Sequence, residues 1–284
     1  MNNVKKQHFV PRVYLRKFTN KNKRIFVYDK EKNDVYASSV DNVAFHKFFY
    51  DQPDNKQETE KSLGKIEASF GQILIKLFDK LKLKHNVLTP NEKKIMFEFV
   101  FIQMIRTTSF RKRLPSQHEV LVQALKEKVN IDLSDLDFDA KQTQKSLILS
   151  DNVQKVLSSV FDDKIFLFWK NNSDIPFLSS DNPSIGIFNE NSIVDNKYEM
   201  YMPLSPYYSL SIVSKRSYPE LLELDNSVLE VNPENVKHYN YQIIKKSVRH
   251  IFSNNRNFHT IQDLFQKYPD GRFLRSSIEK PSFR

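Results

Sequence analysis

His8, Glu67, Arg106 and Asp181 are the residues of this 284-residue chain whose types and placement could do chemistry. An imidazole titrates near neutrality and can give or take a proton. A guanidinium can hold a phosphate or an oxyanion, and a carboxylate can serve as base, acid or metal ligand. Glu67 and Arg106 stand out because they fall on stripes that should be apolar. Glu60, Leu63, Glu67, Phe70, Leu74 and Leu77 share one helical stripe, and Ile95, Phe99, Ile102, Arg106 and Phe110 share another. A charge in such a position needs a partner, since stranding it costs several kcal/mol. The two stripes flank a turn near His85–Leu88 at similar distances, so a Glu67–Arg106 contact is expected. Taken alone, such a pair is a structural ion pair more often than a site. Glu60 weighs less, because an acid in a first helical turn is favoured by the helix dipole.

The elements that must position these groups can be read from periodicity. Arg24–Asp29 and Asp34–Ala37 are β-branched and aromatic runs around the polar Lys30–Asn33, a hairpin pattern. Pro11 suits the start of a short helix over Arg12–Phe18. Apolar residues at three- and four-residue spacing predict a helix over about 58–83. Thr89, Pro90 and Glu92 form a capping box that opens a second helix running to about Arg113. Two further helices are expected at 116–129 and 141–161, separated by the acidic loop Asp132–Asp139. After Asp163 the pattern turns to strands at 164–169, 176–180, 200–203 and 209–213. Asn232-Pro233-Glu234 then opens a helix to about Phe252. The expected class is α+β: a small N-terminal β-hairpin region, a central antiparallel helical bundle, and a C-terminal mixed or antiparallel sheet with a terminal helix. One domain over 1–284 is expected, with a basic β-rich segment (1–53), a helical region (54–162) and a β-rich region with a basic tail (163–284).

Ser179-Ser180-Asp181-Asn182-Pro183 follows an apolar strand. Acidic and amide side chains at a strand end are common in ligand sites, yet Asp-Asn-Pro is also an ordinary turn. His8 stands near Pro11, Tyr14 and Arg16, and no HExxH or other paired histidine spacing is present. A metal held by His8, Glu60, Glu67 and Asp181 would draw its ligands from scattered elements.

Composition excludes several chemistries. With no cysteine there is no disulfide, thiolate metal site or cysteine nucleophile. Four scattered glycines cannot make a GxGxxG turn or a phosphate-cradling P-loop. No window approaches the ~18 apolar residues of a membrane span. The N-terminus lacks the apolar stretch of a signal peptide. A cytoplasmic protein without a membrane partner is therefore expected. The net charge of +10 is uneven: residues 1–50 carry 11 Lys+Arg against four Asp+Glu, and residues 241–284 carry nine against three. If the termini meet in space they would form one positive surface suited to nucleic-acid phosphates, RNA before DNA, or to an acidic protein.

The segment Lys6 to Phe18, with His8, Pro11, Tyr14, Leu15 and Phe18, resembles the HxxPxxYLxxF opening of the bacterial family catalogued as domain of unknown function 4238. The likeness continues through Glu60 and Glu67, Arg106-Thr107, Phe177–Pro183 and Met202–Pro206, and spans about residues 6–255. One departure is Thr108, where the resemblance implies proline. The family's signature falls on His8, Glu67, Arg106 and Asp181, which implies a shared pocket with a base, two acids and a guanidinium. The resulting expectation is a nucleic-acid hydrolase, an RNase-like toxin or phage-defence effector. His8 would act as base or acid, Arg106 as phosphate clamp, and Glu67 or Asp181 as second proton-transfer group or ligand of a divalent metal. Tyr14, Arg16 and Asn182 would contact substrate. The alternative is a non-catalytic nucleic-acid- or protein-binding sensor module with a buried Glu-Arg-Asp network.

Overall fold

Pro11, with its φ fixed near the helical value, sits just ahead of a single helical turn in the first segment of the chain. A computed structural model describes residues 4–51, 56–129, 137–188, 198–259, 261, 262 and 265. The first segment forms β1 (Lys6–His8), α1 (Arg12–Leu15), the hairpin β2 (Ile25–Asp29) and β3 (Asp34–Ser38), and β4 (Phe45–Lys47). The helical region holds α2 (Glu58–Lys80), α3 (Pro90–Ile105), α4 (Thr108–Val129), α5 (Ala140–Leu149) and α6 (Asp151–Phe161). The last region holds β5 (Lys164–Asn171), β6 (Ser179–Ser180), β7 (Ile185–Phe188), β8 (Tyr198–Ser205), β9 (Tyr208–Ser214), β10 (Ser227–Val231), α7 (Pro233–Lys246) and β11 (His250–Ser253). The class is α+β, with the C-terminal sheet mixed.

The strands assemble as β1-β4, as β10-β5-β9-β8-β7 and as β3-β2-β11-β6. Only β10 with β5 runs parallel in the five-stranded sheet. The N-terminal hairpin forms as expected, β2 against β3, and it is joined to the rest of the chain. Its strand β2 pairs with β11 from the far end of the chain, Tyr28 opposite Ile251. Three short strands, β1, β4 and β10, had no readable alternation in the sequence, whereas β5 lies where a strand was expected. The principal core joins Phe9, Tyr14 and Phe18 to Phe70 and Phe99 of the helices and to Phe166 and Met202 of the sheet.

α2 and α3 form the expected antiparallel pair. Lys80 with Glu92 (2.6 Å), Phe70 stacked on Phe99 and Glu67 with Arg106 (2.8 Å) step away from the connecting turn together. Thr89 and Glu92 make the capping box. Three helix ends differ from the periodic reading. The second helix stops at Ile105 rather than Arg113, because Gln144 of α5 donates to the carbonyls of Ile105 and Thr107. Thr107 Oγ1 then accepts the Phe110 N–H at the start of α4. The stretch 141–161 is two helices, since Ser150 caps α6 through the Val153 N–H. The helix expected to reach Phe252 ends at Lys246: buried Lys30 donates to the carbonyls of Ile244 and Ser247, and 250–253 is drawn into β11. Most of the expected acidic loop (130–136) and the basic tail (266–284) lie outside the described residues. Among the described residues no helix is long and apolar enough to cross a membrane.

Candidate acid–base site

β1 is short, yet it sets the site. Its pairing with β4 places His8 opposite Phe45, with the rings 5.5 Å apart. Gln7, fully buried beside it, accepts the N–H groups of Tyr50 (2.7 Å) and Asp51 (3.2 Å) through its side-chain oxygen. One glutamine thus fixes the loop that carries the next two polar groups. Asp51 accepts the Glu60 N–H (2.9 Å) and so seats the first turn of α2, while its other oxygen faces Lys145 Nζ at 3.3 Å.

Arg106 lies at the centre, 2% exposed at the C-terminus of α3. Its guanidinium pairs with Glu67 (2.8 Å), donates to the His8 carbonyl (2.7 Å) and reaches Tyr50 Oη (3.4 Å). Tyr50 Oη in turn donates to the Arg106 carbonyl (2.7 Å). Burial disfavours the charge on Arg106, but Tyr50 and Glu67 outweigh it and the group stays a cation. Burial pushes the Tyr50 phenol up to about 12, so it remains neutral.

Two groups beside this knot are left incomplete. Burial raises the Glu60 carboxyl to about 7, with Arg106 opposing the shift and Glu67 and Asp51 adding to it. Its Oε2 is buried and has no hydrogen-bond partner. Burial lowers the His8 imidazole to about 4, helped by Arg12, while the Val40 backbone and Asp41 oppose the shift. His8 Nε2 is likewise buried and partnerless. Arg12 and Arg106 act electrostatically on both groups, which places them in one neighbourhood. At neutral pH the pair therefore holds an uncharged imidazole whose Nε2 has no partner and a carboxyl near its midpoint. Environments that push two titratable groups past each other mark acid and base assignments.

The four residues singled out from the sequence divide into two sets. His8, Glu67 and Arg106 meet; Asp181 faces elsewhere. Its carboxylate accepts the backbone N–H groups of Val248 (2.8 Å), Arg249 (2.7 Å) and His250 (2.9 Å), and its own N–H donates to the His250 carbonyl. The Asp-Asn turn is therefore a clamp between β6 and the approach to β11. Asn182, 3% exposed, accepts from Thr107 Oγ1 and donates to the Lys246 carbonyl. Tyr14 is fully buried, bonded to Ser179 Oγ and the Pro203 carbonyl at 2.8 Å each. Tyr14 and Asn182 thus have interior partners where contact with substrate was expected, and Arg16 is exposed beyond α1. Among the described residues no three His, Asp or Glu side chains are grouped to hold a metal ion, so His8, Glu60, Glu67 and Asp181 are not one ligand set.

Periodicity gave Glu60 little weight and missed Gln7, Tyr50 and Asp51. Glu60 follows Gln57 and Glu58 in an ordinary helix start, and only the Asp51 carboxylate and the Arg106 knot give it a setting. The loop residues carry no periodic signal at all.

No curated protein and no solved structure matches the chain. The family described as protein of unknown function (DUF4238) matches residues 6–257, a stretch that includes β1, the Arg106 knot and the Asp181 clamp. With nearly its whole length matched, the chain belongs to the DUF4238 family.

Proposed function

We propose that the protein cleaves RNA by acid–base phosphodiester transfer, with His8 and Glu60 as the proton-transfer pair. The observation that carries this reading is the pair of buried, partnerless atoms, His8 Nε2 and Glu60 Oε2, in one electrostatic neighbourhood. In this scheme neutral His8 Nε2 takes the proton of a ribose 2′-hydroxyl, whose oxygen attacks the adjacent phosphorus. The bond to the 5′-oxygen breaks, and protonated Glu60 supplies the proton to that leaving oxygen. Arg12, exposed and paired among the described residues with the equally exposed Asp41, can exchange that partner for a phosphate. Arg106 is buried with a partner on each of its three nitrogens, so it positions the pair rather than clamping substrate. Cations continue past the pair: Lys145 faces Asp51, Lys141 lies on the Phe48 carbonyl and Arg111 covers the Phe49 ring. A row of this kind suits an extended polyanion.

The test is incubation of the pure protein with total RNA and plasmid DNA, with and without Mg²⁺ or Mn²⁺. The expected result is RNA cleavage with kcat/KM flat between limbs near pH 4 and 7, the values to which burial moves His8 and Glu60. Glu60→Gln should lose at least about 100-fold in rate, the usual scale of a proton-transfer group. No cleavage by wild type, or full activity in Glu60→Gln and His8→Ala, removes the proposal. A toxin or defence effector would deploy such an activity, and induced cells should then survive Glu60→Gln but not wild type.

One observation favours a second reading, a nucleic-acid- or protein-binding module without turnover. Arg106 and Asp181, both nearly unexposed, are tied to interior groups, Arg106 to Glu67 and the His8 carbonyl and Asp181 to three backbone N–H groups. That reading predicts salt-sensitive RNA binding without cleavage, and Arg106→Ala that lowers Tm while leaving binding by the folded fraction unchanged.

A further inference from the structure

The segment following α1 and the β8–β9 turn take no part in the acid–base site, yet they meet around a second recess of about 240 Å³. Lys17, Phe78, Ser205, Tyr207, Tyr208 and Asn254 supply its chemistry. Lys17 is the one charged residue of the lining, and among the described residues it has no carboxylate partner. Its Nζ instead lies 4.8 Å from the centre of the Phe78 ring. Burial already weakens its charged form, so an anion arriving beside it would restore what desolvation removes. Three aromatic rings border the same space: Phe78 and Tyr208, 6.0 Å apart, and Tyr207, 56% exposed. Ser205 Oγ accepts the N–H groups of Tyr207 and Tyr208, which leaves its hydroxyl proton to donate. Asn254 Oδ1 is buried with no partner.

We infer that this recess binds a nucleotide, its base against the tyrosine and phenylalanine rings and its phosphate on Lys17. The unused donor on Ser205 and the unused acceptor on Asn254 complement the edge of a base, where donor and acceptor stand side by side. Base–aromatic stacking contributes independently of base identity. The volume falls below the roughly 300–1,000 Å³ of sites that enclose drug-sized ligands, so one base with its phosphate fits and an oligonucleotide would enter by a single residue. The recess shares no residue with the His8–Glu60 pair and stands whether or not that pair is catalytic.

The test is isothermal titration of the full chain, at low salt, with the four nucleoside 5′-monophosphates, the matching nucleosides, inorganic phosphate and a six-residue RNA carrying Glu60→Gln in the protein to prevent turnover. At least one monophosphate should bind, its nucleoside at least tenfold more weakly, and phosphate alone not measurably. Lys17→Glu and Tyr207→Ala should each weaken binding at least tenfold with the circular dichroism spectrum unchanged. Binding of the six-residue RNA alone, lost in the same two variants, assigns the recess to a base of a strand instead of a free nucleotide. The inference is overturned if neither monophosphates nor the RNA bind at millimolar concentration, if both variants bind as wild type does, or if phosphate binds as tightly as the nucleotides.

Discussion

Glu60 and His8 are held on opposite sides of their ordinary values, and folding stability must register both. The Glu60 carboxyl moves from 4.5 to about 7 on folding, so between those values the native chain keeps a proton that the unfolded chain has released. Its contribution is fully present below pH 4.5 and is lost as pH rises through 7. His8 moves from 6.5 down to about 4, so its contribution is present above pH 6.5 and is lost as pH falls toward 4. The two windows overlap and the slopes are opposite, so the wild type should be nearly flat where either alone would tilt it. With allowance for solvent reaching both groups, each is worth about 2 kcal/mol. Glu60→Gln relative to wild type should gain stability from pH 4.5 to 7, and His8→Gln should gain it as pH falls from 6.5 to 4. Chemical denaturation of the three proteins across pH 4–8 measures this, and a flat difference curve for Glu60→Gln would mean that its carboxyl is not desolvated. Arg106 answers a different test: Arg106→Ala strands Glu67 and the His8 carbonyl and should cost about 3–5 kcal/mol, the cost of breaking a buried pair.

Between elements, what decides an end is whether its cap lies nearby in the chain. Thr89 caps α3 from the adjacent residue, and Thr89→Ala should cost about 1 kcal/mol. The other end of α3 depends on Gln144, 37 and 39 residues away from the two carbonyls it serves. Gln144→Met keeps the volume and leaves both carbonyls without that donor, which should cost about 2–6 kcal/mol at roughly 1–3 per buried unsatisfied group. Urea denaturation compares the two directly, and a smaller loss in Gln144→Met than in Thr89→Ala would remove the distant cap as the cause of the break. The same distinction separates what the sequence disclosed from what it withheld. The α2–α3 pair, its capping box and the Glu67–Arg106 contact were legible because helical periodicity and local caps are written in neighbouring residues. The break at Arg106, the end of α7 at Lys246 and the strand β11 were not, because Gln144, Lys30 and β2 act from distant parts of the chain. At the site, a charge on an apolar stripe betrayed Arg106, whereas Glu60 gained its meaning only from the loop that Gln7 holds.

At the scale of the molecule, the described parts of the two basic segments meet through β2 and β11, and some of their charge is neutralised there. Arg249 pairs with Asp29 at 2.7 Å and with Glu31 at 2.8 Å. β11 lies between β2 and β6, so it is an interior strand of its sheet even though it is the last strand among the described residues. Removing everything after Lys246 would take away that strand, both of its ladders and the three N–H groups that hold the Asp181 carboxylate. Hydrogen bonds to a charged group contribute about 1.5–3 kcal/mol each, so this loss alone rivals the stability of a typical domain, about 5–15 kcal/mol. A chain ending at Lys246 should therefore fail to fold, with no cooperative thermal transition and rapid proteolysis. A chain ending at Asn257 keeps β11 and, among the described residues, loses Phe258, Ile261 and Phe265 from the apolar cluster around Tyr28. It should fold with a lowered Tm. Asp181→Ala in the full chain should fall between the two, because β11 keeps its ladders while its clamp is gone. If the chain ending at Lys246 melted cooperatively near the wild-type temperature, the four-stranded sheet would not be a unit that the fold requires, and Asp181 would be released for another role.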